Sequence, residues 1–154
     1  MPMDLAASLP TLLPRAIAWA EVQSQLVLTH GVSLKAPGLI LARSVGVKSP
    51  EEIRVGIVDQ LPLPDDPQLQ SAAIQAGLLG PNMVGLTLGY AVFICRGHEA
   101  DPRLLSHEFR HVHQYEAAGS IASFLPIYLQ EIVVFGYASA PSELDARAHE
   151  RDGA

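Results

Sequence analysis

His107, Glu108 and His111 stand in the spacing HExxH within the stretch HEFRHVHQYE, residues 107–116. On a helix, residues four apart project from one face, so both imidazoles can share one metal ion while Glu108 sits beside it as a base. That pattern is the hydrolytic core of a zinc metallopeptidase. Three residue types also coincide by chance, so the elements around them must decide the reading.

The helix that carries the motif can be bounded. Asp101 is a natural N-cap, Pro102 fits the first helical position and Gly119 suits the residue after the last turn. Leu105, Phe109 and Val112 form an apolar stripe that faces a core, and His107, His111 and Gln114 form a neighbouring stripe. His113 lies roughly 200° around the helix from His111 and is not expected to be a ligand. His30 and His98 fall in or beside predicted loops and carry no signal.

Catalytic zinc usually holds three side chains and leaves one position open. The metzincin extension would put glycine at 114 and histidine at 117, where the chain has Gln114 and Ala117, so that class is excluded. The segment APSELDARAHE, residues 140–150, offers Glu143, Asp145 and His149 on one short helix. Pro141 and the S-x-x-D run from Ser142 to Asp145 read as a helix start with a weak capping box. Glu143 then occupies the first turn, where the helix dipole favours the ionised carboxylate that binds metal. Before it, Ser120 is expected to cap an apolar helix to about Phe135, with Phe124, Tyr128, Ile132 and Phe135 at helical spacing and Gly136 turning the chain back. Gln114 reads as a support or packing residue beside the ligands. The Tyr137 and Tyr90 hydroxyls are candidate oxyanion donors, against the plainer reading of packing residues.

The motif, a Gln three residues past its second His, the following apolar helix and the segment Gly136, Tyr137, Pro141, Glu143 together resemble small bacterial proteins with gluzincin-like metallopeptidase domains. The upstream stretch GLLGPNMVGLTLGYAVFI is similar to the strand that precedes the HExxH helix in zincins. The resemblance covers roughly residues 79–150. It implies zinc bound by His107, His111 and Glu143, with Glu108 catalytic. In two respects the chain departs from it: Arg147 stands where gluzincins carry an aspartate four residues after the ligand glutamate, and there is no large second domain of the thermolysin kind.

The remaining elements set the expected frame. Residues 11–30 read as an amphipathic helix with Leu13, Ile17, Trp19, Ala20 and Leu26 among its apolar positions, and a shorter helix follows around 37–44. Residues 53–58 alternate as a strand, Asp66 and Pro67 start a helix ending near Gly77, and 84–88 and 91–95 are further strands. Gly85 and Gly89 interrupt the latter pair, which points to a bulge or a close approach of another backbone, such as a substrate adding to the sheet edge. The expectation is an α+β fold: a mainly helical, zincin-like single domain over residues 1–154, with a small sheet preceding the HExxH helix.

At 154 residues, 49% hydrophobic, the chain can bury a substantial core. A net charge of -6 and only two lysines, Lys35 and Lys48, offer no phosphate track, which argues against nucleic acid. The lone cysteine, Cys95, sits in an apolar run and reads as a buried hydrophobe. There is no secretory signal pattern, and the run 121–137 is broken by Pro126, Gln130 and Glu131, so a cytoplasmic protein without a membrane span is expected. The leading expectation is a zinc peptidase acting on a peptide or protein. Its rival is a metal-binding or pseudoenzyme module that uses the scaffold without hydrolysis.

Overall fold

The computed structural model describes residues 2–152. Within them, α1 (Leu5–His30), β1 (Val32–Ser33), α2 (Ala36–Ser44), β2 (Arg54–Val58), α3 (Pro67–Gln75), β3 (Gly85–Leu88), β4 (Ala91–Cys95), α4 (Pro102–Ala118), α5 (Ile121–Phe135) and α6 (Pro141–Ala148) follow one another. This is a mainly helical α+β domain around a small mixed sheet.

The sheet runs β1-β2-β4-β3, with β2 and β4 parallel and the outer pairs antiparallel. A parallel pair needs a long crossover, which the segment containing α3 supplies. β4 is buried along its whole length because both sheet faces are covered. Ala91, Phe93 and Cys95 join the core under α1, while Val92 and Ile94 pack with Phe109 and Val112 of α4. The strand period of two and the helical stripe of α4 thus meet in one core.

Four expectations are corrected. α1 starts at Leu5, ahead of Pro10 and Pro14, because the Asp4 side chain accepts a hydrogen bond from Ala7 N and the Gln75 amide bonds both Met3 N and Met3 O. Leu26 and Phe135 keep the helical spacing but are 50% and 55% exposed, so they lie off the buried stripes. Gly89 marks no bulge: Leu88 pairs with Ala91, and Gly89, at φ +70, takes the first position of the two-residue hairpin turn. The start of α6 is not capped by Ser142; its N-cap is Ala140, with no side-chain cap. A carboxylate from α5 satisfies this helix start instead, since Glu131 accepts from Ser142 N at 2.8 Å and Ser142 Oγ at 3.0 Å.

Candidate metal centre

α4 begins where expected, with Asp101 accepting from Arg103 N and Leu104 N, and ends at Gly119 in the left-handed region. Phe109 and Val112 are fully buried, which fixes the helix's rotation on the sheet. The neighbouring face therefore turns His107 and His111 toward α6. Glu143, 1% exposed, reaches back between them: its Oε1 lies 3.1 Å from His107 Nε2 and its Oε2 2.8 Å from His111 Nε2. Ligand atoms of His107, His111 and Glu143 all fall within 4.8 Å of one another.

The far nitrogen of each imidazole is also held. His107 Nδ1–H donates to Glu150 at 2.9 Å, and His111 Nδ1–H donates to Gln114 Oε1 at 2.8 Å. The Gln114 orientation follows from its other end, where Nε2 donates to Ser142 O and Asp145, both at 2.9 Å. Asp145 is in turn gripped by Arg110. A chain of bonds from Arg110 through Asp145 and Gln114 thus assigns the Nδ1 proton of His111 and leaves Nε2 for the central point.

Burial disfavours the His107 imidazolium, but the Glu143 hydrogen bond and the charges of Glu108 and Glu143 outweigh it and push the group up to about 9. His111 moves the same way for the same reasons. Burial raises Glu143, yet the hydrogen bonds from His107 and His111 hold it well below the ordinary carboxylate range. Each Nε2 is thus within hydrogen-bonding distance of one oxygen of the Glu143 carboxylate. Two imidazoles and one carboxylate are a fitting donor set for zinc, and metal binding would displace any protons held at the Nε2 atoms.

Glu108 is 6% exposed and lies against the edge strand β3. Gly85 and Thr87 face it because they alternate on the α4 side of that strand. The Thr87 hydroxyl lies 2.8 Å from Glu108 Oε1 and 3.0 Å from Glu108 O. A Cβ at Gly85 would stand 3.0 Å from Glu108 Oε2, so in place of the bulge or approaching backbone expected at this glycine, which pairs regularly with Ile94, the Glu108 side chain takes the space.

Asp145 and His149, the competing ligand candidates, stay outside the cluster; His149 Nδ1 donates to Asp145 O and Asp145 pairs with Arg110. His113 turns away to donate to Gly46 O. Tyr90 is distant, its hydroxyl donating to Glu116. Tyr137 lines the same cavity as Glu108, His111 and Glu143. Burial first, then the charges of Glu143 and Glu108, raise its hydroxyl above the ordinary tyrosine value.

Three residues of the site escape sequence reasoning. By spacing Tyr128 is only part of an apolar stripe, but its hydroxyl donates to Glu143 Oε2 at 2.6 Å; a phenol in an otherwise apolar row is the available signal. Glu131 looks like no more than a break in that row. Glu150, beyond the end of α6, accepts from His107 Nδ1, while Arg147 lies 3.9 Å from Glu143.

Comparison with known proteins adds no relative. No family model matches the chain, and neither a curated protein nor a solved structure matches it.

Proposed function

We propose that this protein is a zinc-dependent hydrolase of peptide or related amide bonds, with His107, His111 and Glu143 holding the metal and Glu108 as general base. The observation that carries the reading is the convergence of three ligand atoms of the right chemistry, each imidazole steered by a partner on its far nitrogen. Zinc bound there supplies Lewis acidity, which polarises a carbonyl and makes water acidic enough to ionise near neutral pH.

The chain's own residues do the rest. Glu108 accepts the water proton and returns it to the leaving amine, a role worth roughly 100 to 10,000-fold. Thr87 and the space at Gly85 hold that carboxylate in one place. Tyr128 donates to Glu143 and so adds to what the two imidazoles do in keeping it ionised, and Tyr137, which borders the same cavity, would donate to a developing oxyanion.

Glu108 also separates this reading from a metal module without hydrolysis, because a structural metal needs no base. Purified protein should carry close to one zinc per chain by elemental analysis. Glu108→Gln should retain the zinc and lose most chelator-sensitive cleavage of a peptide library. Zinc binding by both proteins with no cleavage by either would favour the binding module.

A further inference from the structure

Glu108, His111 and Glu143 border a half-enclosed cavity of about 140 Å³ that extends between α1, α3 and α5. Apart from the groups of the candidate metal centre, its lining carries no charge. Leu12, Ala16 and Trp19 come from α1, Ala73 from α3, Met83 from the loop before β3 and Leu129 from α5. A charged group placed there would lose its hydration and meet no counterion, whereas an apolar group is favoured. The volume is close to that of apolar cavities of about 150 Å³ that take up a benzene ring.

We infer that this cavity is a specificity pocket for one neutral apolar side chain of the substrate, of phenylalanine or leucine size, next to the bond presented to Glu108. The inference rests on the hydrolase reading for the identity of the bond, but the pocket extends from the HExxH helix to elements well outside it. α1 and α3 close one side of it and α5 another, so the first half of the chain shares in setting selectivity at groups carried by the second. Small residues set the depth: Ala16 and Ala73 are where a larger side chain would occupy the space.

Trp19 is the sole tryptophan and lines the cavity, which provides a readout independent of turnover. The full-length protein, with and without zinc, is titrated with N-acetyl-phenylalaninamide, N-acetyl-leucinamide, N-acetyl-glycinamide and N-acetyl-lysinamide while Trp19 fluorescence is followed. The apolar pair should bind about tenfold or more tightly than the other two. Ala73→Leu should weaken them by a similar factor, and Ala16→Leu serves if the first variant fails to melt cooperatively. Equal response to apolar and charged probes overturns the pocket, as does unchanged binding in a cooperatively folding filled variant. Selective Trp19 binding without cleavage keeps the pocket and sinks the hydrolase. Zinc-dependent cleavage with no enrichment of apolar residues beside the cut bond does the reverse.

Discussion

Two small residues on the edge strand decide where the Glu108 carboxylate rests. Gly85 leaves room for it and Thr87 donates to it. A methyl group at position 85 meets the carboxylate at 3.0 Å, a clash that a few tenths of an ångström relieve, whereas a branched side chain does not fit. Gly85→Ala should therefore lower kcat modestly and Gly85→Val by about 100-fold, the scale of an ångström-sized misplacement, with zinc content unchanged by elemental analysis. The far nitrogens of the imidazoles obey the same logic. Glu150→Ala or Gln114→Leu should weaken zinc by about 10 to 100-fold in a chelator competition, because each frees one ring to turn. Loss confined to turnover, with affinity intact, would refute the orienting role.

Elements meet at the site through side chains that tie one helix to another. Glu131 links α5 to the start of α6, and so sets where Glu143 arrives. At the far end of α4, Glu116 accepts from Lys48 N, Ser49 N and the Tyr90 hydroxyl, fastening the helix to the loop before β2 and to the hairpin turn. Burial works against that anion, but the Lys48 and Tyr90 hydrogen bonds, with Ser49, prevail and hold its carboxyl below the ordinary 4.5. A depressed carboxyl stabilises the fold fully above its unfolded value, and the contribution disappears as pH falls through the folded value. Glu116→Gln should thus cost roughly 1 kcal/mol near pH 7, allowing for solvent screening. Urea midpoints taken from pH 7 downward should begin to converge between variant and parent once the pH drops below the ordinary 4.5, and parallel curves would exclude the linkage.

Across the whole molecule, the motif-bearing region is not an independent unit. β4 is central, paired on one side with β2 and covered on one face by α1. A fragment of residues 79–152 would keep the ligands and the β3–β4 hairpin but expose the β2 edge of β4 and the apolar face under α1. It should show no cooperative thermal transition by circular dichroism, and should bind zinc far more weakly than the full chain. A cooperative melt of that fragment would show that the first half is dispensable. No single described helix is long and apolar enough to cross a membrane.

Local rules determined much of this protein directly from sequence. The N-cap at Asp101, the stop at Gly119, the stripe of Phe109 and Val112 and the HExxH spacing depend on residues within one or two turns, so α4 and the face bearing both histidines were readable. Asp66 with Pro67 did the same for α3. The choice among Glu143, Asp145 and His149 was different. Their spacing made each of them a candidate, and the resemblance favoured Glu143, but only the packing of α6 against α4 and α5 brings the Glu143 carboxylate to both imidazoles. Glu131 capping Ser142 across 11 residues, Glu150 reaching His107 across 43 and the order β1-β2-β4-β3 are likewise long-range. Periodicity places a side chain on a face; which partner that face meets is settled by burying the apolar surface of distant elements in one core.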